Sequence, residues 1–303
     1  LVGSEMCIRD RYTIEPEWVT LGAGIVYALG TSVRAFTEEG DAMMVMQPVY
    51  YPFSEVIKND GRRLVNCQLR YENNHYSIDF EKMEKMIREE GVKALIFCNP
   101  HNPVGRVWTR EELERVAQVC LKYNVIWMVD EMHCDFIFPG HTFTSCMNLD
   151  EKYRQILALY SSPGKTFNVA GFQPANIIIP NEELRKKYQW ANTQAAYSQG
   201  SLMGQLAVKV CYTKGAEWVD ELVQYIYENV KYMSKFVKEN FPKAKMVEPE
   251  GTYLVWLDFR ETGLSVEELE HRIIYKAGLW LDSGKIFGDL GCGFQRVNVA
   301  CPK

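Results

Sequence analysis

The chain has 303 residues, of which 47% are apolar and 24% charged, with a formal net charge of −5. This is enough apolar material for a sizeable core and enough length for more than one domain. The acidic balance leaves no electrostatic footprint for nucleic acid, and no apolar run approaches the length that crosses a bilayer, so nucleic acid and membrane are excluded as expected partners. Nine cysteines, at positions 7, 67, 98, 120, 134, 146, 211, 292 and 301, form no Cys-x-x-Cys pair. That spacing points away from a zinc site or a disulfide framework and toward free thiols in a reducing cytoplasm.

Residues 1–11 have neither helical nor strand periodicity and no signal-peptide pattern. They resemble a translated sequencing adapter and are read as a non-native leader. Gly22-Ala23-Gly24 precede a helical spacing of Ile25, Leu29, Val33 and Phe36, which predicts a helix over 25–36 whose start can offer free N–H groups to a phosphate. A buried strand is expected over 42–46, followed by an aromatic-rich turn over 49–53. Residues 79–90 read as a helix with Phe80, Met83, Met86 and Ile87 on one face, and 94–98 as a short buried strand. The loop Asn99-Pro100-His101-Asn102-Pro103-Val104-Gly105 comes next. Thr109-Arg110-Glu111-Glu112 is a capping box that starts a helix with Leu113, Val116, Ala117 and Cys120 on its inner stripe.

Two more apolar strands are expected at 125–129 and 156–160, the first ending at Asp130-Glu131-Met132-His133 and the second at Ser161-Ser162-Pro163-Gly164-Lys165. Strands apolar throughout, alternating with helices, predict an α/β fold with a largely parallel sheet covered on both faces. In such a sheet the loops at the carboxyl ends of the strands converge, and Asn102, Asp130 and Lys165 all fall there. Further on, Trp218, Leu222, Ile226, Met233 and Val237 mark a long amphipathic helix linking to a second block. That block holds a strand over 252–259, a helix over 265–277 and a closing strand over 296–300. The expected division is a large domain over 12–228 and a smaller, truncated C-terminal α/β domain over 229–303, and both ends are read as incomplete.

The ordered motifs Asn99-Pro100-His101-Asn102-Pro103-Val104-Gly105, Asp130-Glu131-Met132-His133, Ser162-Pro163-Gly164-Lys165-Thr166-Phe167-Asn168 and Arg296-Val297-Asn298-Val299-Ala300-Cys301-Pro302 resemble those of fold-type I pyridoxal phosphate enzymes, the class I/II aminotransferase superfamily. Through Pro48-Val49-Tyr50-Tyr51-Pro52-Phe53, Val169-Ala170-Gly171-Phe172 and Gly293-Phe294-Gln295-Arg296 the chain is similar to the MalY/PatB branch of cystathionine β-lyase-like enzymes. The resemblance implies the three-layer PLP-transferase fold with pyridoxal 5′-phosphate as cofactor. It also implies a homodimer whose active site lies at the subunit interface.

By the same resemblance Lys165 forms the Schiff base and then moves the α-proton, and Asp130 pairs with the pyridine nitrogen. Asn102 meets the ring hydroxyl, Tyr50 stacks on the ring, and Gly24, Ile25 and Ser162 hold the phosphate. Arg296 grips the substrate α-carboxylate with its planar fork. His133 stands where many aminotransferases carry a tyrosine near the ring hydroxyl. Gln173 departs from the aspartate aminotransferase pattern, which has a phosphate-binding arginine eight residues after the lysine.

The implied activity is a β-lyase acting on L-cystathionine or a cysteine S-conjugate, with an aminotransferase as the alternative. Two remoter readings are a non-catalytic regulator and a nucleotide-dependent helicase, the latter because Gly164-Lys165-Thr166 and Asp130-Glu131-Met132-His133 superficially match a phosphate loop and its acidic box. The glycine that such a loop needs five residues before Gly164 is Leu159, and the two motifs stand in inverted order.

Overall fold

A computed structural model of the chain describes residues 14–197 and 200–302. The leader expected at 1–11 lies outside the described residues. The larger sheet is built from β1 (Val19–Ala23), β2 (Ala42–Val45), β3 (Arg63–Asn66), β6 (Val92–Cys98), β7 (Ile126–Asp130), β8 (Leu157–Ser161) and β9 (Pro174–Ile178). Its spatial order is β1-β9-β8-β7-β6-β2-β3. β9 runs against both neighbours, and the other ladders are parallel. A small hairpin, β4 (Arg70–Glu72) with β5 (His75–Ser77), stands beside it.

Helices cover both faces because both faces are apolar. On one side Leu95, Trp127 and Leu157 pack with Met83 and Ile87 of α3 (Phe80–Glu90) and Leu113, Val116 and Cys120 of α4 (Arg110–Lys122). On the other, Met43, Ala94, Met128 and Ala158 meet Leu29 and Val33 of α1 (Ile25–Phe36), Phe53 of α2 (Pro52–Asn59) and Tyr188 of α5 (Glu182–Gln194). Each fully buried Leu, Val, Ile, Met or Phe among them contributes roughly 1.5–3 kcal/mol. Both arms of the capping box at Thr109 and Glu112 are present at the start of α4.

Beyond α6 (Leu202–Lys214), the long α7 (Ala216–Asn240) carries the chain to a four-stranded antiparallel sheet. Its strands are β10 (Lys245–Val247), β11 (Leu254–Asp258), β12 (Asp282–Ser283) and β13 (Phe294–Asn298), in the order β10-β11-β13-β12. The expected boundary at 228/229 falls within α7. α8 (Val266–His271) continues into a wider π-helical turn, Arg272–Lys276, so the helix expected over 265–277 has the right extent and a looser end.

Several boundaries differ from expectation, among them the starts of β6, β7 and β8, at Val92, Ile126 and Leu157 instead of 94, 125 and 156. The turn expected over 49–53 already enters α2, because Pro52 fits a first helical turn. The strand expected from 252 starts at Leu254, since Thr252 is left-handed at φ 69°. The closing strand lies two residues earlier than 296–300. Its pairing with β11 runs from Phe294 opposite Asp258 to Asn298 opposite Leu254, and Asn298 Oδ1 then accepts the Ala300 N–H and ends it. The strand expected over 42–46 stops at Val45.

One place where the two sheets are stitched together is the loop after β6. Glu250 and Gly251 both donate backbone N–H groups to Gly105 O. Buried Arg106 binds Glu250 through Nε at 2.9 Å and Glu112 through Nη2 at 2.9 Å. Gly105 has φ +73°, and a Cβ there would come within 2.7 Å of Pro249 Cβ and 2.9 Å of its Cα. Gly105→Ala should therefore destabilise the fold by about 2 kcal/mol or more. An unchanged midpoint in urea denaturation would remove this contact from the account.

Candidate functional site

The carboxyl ends of β6, β7 and β8, the start of α1 and one face of β13 surround a cavity of about 590 Å³. All nine residues singled out in the sequence line it: Gly24, Ile25, Tyr50, Asn102, Asp130, His133, Ser162, Lys165 and Arg296. Parallel strands point their carboxyl ends the same way, which is why loops far apart in the chain meet here.

Asp130 ends β7 and is 5% exposed. Its Oδ1 accepts the Met132 N–H at 3.0 Å, and Oδ2 takes no hydrogen bond from the described residues. Burial pushes its carboxyl up to about 7, with the Met132 N–H and the Lys165 charge pulling the other way. Lys165 follows β8 on an exposed turn, with Gly164 N–H donating to Ser162 Oγ at 3.0 Å. The Ser162 hydroxyl itself donates to Pro174 O at 2.6 Å, so its proton is committed within the loop.

His133 is buried, with its Nδ1 lacking a partner among the described residues. Burial first, then the Lys165 and Arg296 charges, holds it down to about 3, so the imidazole is neutral. Tyr50 leans on Tyr51 and Phe53 with ring centroids 5.4 and 5.8 Å apart, and burial raises its phenol. Asn102 Oδ1 accepts Arg296 Nη1 at 2.9 Å, a bond that joins the larger sheet's loop to β13 of the smaller one.

Gly24 caps α1 at φ 87° with no side chain satisfying the first-turn N–H groups, and Ile25, Val26 and Tyr27 line the cavity beside it. Those unsatisfied donors and the positive end of the helix dipole make an anion seat. Gln173 Oε1 lies 3.7 Å from where a Gly24 Cβ would be, so an amide borders this seat. Leu159, the residue that departs from a nucleotide loop, is wholly buried in β8. Sequence reasoning missed Tyr253 and Asp282, which also line the cavity. Tyr253 was hidden inside an expected strand, and Asp282 belongs to a two-residue strand with no periodic signal.

Comparison with known proteins identifies the family. The family model of aminotransferase class I and II matches residues 6–303, and the chain belongs to that family. Within it the chain falls in the MalY/PatB branch: it is 37% identical to the cystathionine β-lyase PatB of Bacillus subtilis (strain 168), over 97% of this chain and 76% of that protein. Cystalysin from Treponema denticola, whose crystal structure contains a pyridoxal 5′-phosphate cofactor, superposes with a TM-score of 0.97 at 38% identity, covering 99% of this chain and 76% of that one. A PLP-bound putative aminotransferase from Clostridium difficile 630 gives 0.96 at 36% identity, covering 99% and 78%.

The raised Asp130 carboxyl has a consequence for stability. Between pH values of about 4 and 7 the folded chain holds a proton there that the unfolded chain releases, so this group's contribution falls as pH rises through that window. His133, lowered from 6.5, contributes in the opposite direction, losing stability as pH falls below 6.5 toward 3. In the cofactor-free protein, Asp130→Asn should therefore gain on the parent as pH rises from 5 to 8. Urea titrations at both pH values check it, and parallel pH profiles for the two proteins would contradict it.

Proposed function

We propose that the protein is a pyridoxal 5′-phosphate-dependent carbon–sulfur β-lyase. It acts on L-cystathionine or a cysteine S-conjugate and releases a thiol, pyruvate and ammonia. The observation that carries this reading is the convergence of Lys165, Asp130, Asn102 and Arg296 on one cavity, in a chain 37% identical to a cystathionine β-lyase.

The residues fit that cofactor. A buried carboxylate with Oδ2 unengaged calls for a cationic N–H donor, and a pyridinium would supply one and restore the charge of Asp130. The unpartnered Nδ1 of His133 and the amide of Asn102 suit a ring hydroxyl. The uncapped start of α1 suits a phosphate, with Gln173 in place of an arginine.

When bound, the cofactor offers a conjugated cationic ring that accepts the electron pair left as the α-proton departs. Lys165 would hold the group covalently through its amine, and with that amine free it takes the proton from the α-carbon. Arg296 grips the α-carboxylate and so sets which bond at the α-carbon faces Lys165. The carbon–sulfur bond then breaks with its electron pair on sulfur, and Lys165, now an ammonium, delivers a proton to give the thiol. Water hydrolyses the remaining enamine to pyruvate and ammonia. Transamination, the alternative outcome, would leave a keto acid in place of thiol and pyruvate.

Incubation of the holoenzyme with L-cystathionine should yield pyruvate and free thiol in equal amounts. Efficient amino transfer to 2-oxoglutarate without pyruvate would replace the lyase by an aminotransferase. Lys165→Ala should lose the visible absorbance of the bound cofactor and lower kcat by at least about 10³-fold.

The wider assignments are a cytoplasmic homodimer with its active site at the subunit interface and a division into units 12–228 and 229–303. The free cysteines support the compartment. α6 supports the dimer, because it turns Leu202, Met203, Leu206 and Val210 to solvent, with Phe172 also exposed at the end of the Lys165 loop. Leu206→Asp should shift the sedimentation coefficient from that of a dimer to that of a monomer, and an unaltered coefficient would place the interface elsewhere.

A further inference from the structure

Arg296 reaches the cavity already holding a carboxylate. Its Nε and Nη2 both donate to Asp282 Oδ2, at 3.1 and 2.6 Å. The two residues stand opposite each other in the ladder between β12 and β13, and both line the cavity.

Their settings differ in a way that decides which one moves. The Arg296 side chain is 13% exposed. Its guanidinium lies 4.7 Å over the Phe287 ring, and Nη1 is held by Asn102, so it stays in place without Asp282. The Asp282 side chain is 44% exposed. β12 is an edge strand of two residues, preceded by the exposed Leu279 and Trp280. Rotation about the Asp282 side-chain bonds alone would take its carboxylate from Arg296 to water.

We propose that Asp282 is an internal stand-in for the substrate carboxylate, occupying the Arg296 fork between turnovers and yielding it when an amino acid binds. The inference rests on the reading of Arg296 given under the proposed function. Two carboxylates cannot both take the same face of the fork, and beside one another they repel. A bare carboxylate offers Arg296 no more than Asp282 already provides, whereas an amino acid adds its amine and side chain. Asp282 thereby weakens binding of simple acids, pyruvate among them, and favours release of the product over its retention.

The test uses the holoenzyme with L-cystathionine as substrate and propionate as a competing carboxylate that lacks an amine. Asp282→Ala and Asp282→Asn should lower the propionate inhibition constant about fivefold, the size of a part-exposed ion pair. KM should fall with it, and the change should sit in KM rather than kcat. Asp282→Glu, which restores the charge, should return both toward the parent.

An inhibition constant that is unchanged or raised in Asp282→Ala and Asp282→Asn, with parental circular dichroism and cofactor absorbance, overturns the proposal, because a residue that merely positions Arg296 would weaken binding when removed. Arg296→Ala separates the two levels. If it leaves propionate inhibition intact, Arg296 is not the carboxylate site and both readings fall. If it weakens inhibition while the Asp282 variants fail to tighten it, only the stand-in falls.

Discussion

A carboxylate stripped of water is the constraint around which the site is arranged. Asp130 ends a strand buried on both faces, and its carboxyl is held near 7 by that burial. Such a group is stable only as a neutral acid or beside a cation, and the cavity it borders is where a cation can be placed. The surrounding choices follow. Cys98, paired with Asp130 across the ladder, has its thiol pushed well up by burial and by that neighbour, and His133 is held neutral. Of the residues lining the cavity, the cations left to act are Lys165 and Arg296, which come from distant parts of the sequence.

The second constraint is that the site is shared between two sheets. Asn102 hangs from the larger one and Arg296 from the smaller, and a single 2.9 Å hydrogen bond spans them. The Arg106–Glu250 pair and the close approach of Gly105 to Pro249 fix the two sheets relative to each other near that bond. A buried arginine with two carboxylates is weak evidence for added stability, but losing one partner would strand a charge. The pairing is thus better understood as specifying the arrangement than as strengthening it.

Much of this was legible in the sequence, for a reason specific to parallel sheets. A strand buried on both faces must be apolar from end to end, so its carboxyl end is marked by the first polar, glycine or proline residue. Asn102, Asp130 and Lys165 stand just past such marks. β9 was not legible, because Pro174 at its start and Asn176 at its centre leave only the short run Ile177-Ile178-Ile179 as an apolar signal. α6 was equally silent, since most of its apolar residues face solvent and they spread around the helix. Asp282 could not be found at all from spacing, because its role depends on which strand it is laid against, and cross-strand partners leave no local trace.

The reversed direction of β9 has one more consequence, for the freedom of Lys165. Because β9 runs against β8, the residue where β8 ends and the residue where β9 begins lie at the same rim, and Ser162 is hydrogen-bonded directly to Pro174. The segment between them is therefore a loop whose two ends are already closed, with Thr166 tied to Asp135 near its middle. The entropy of bringing those ends together is spent on folding, before any ligand arrives. What remains flexible is the four-carbon side chain, so the amine can swing between a bound and a working position while its anchor stays still.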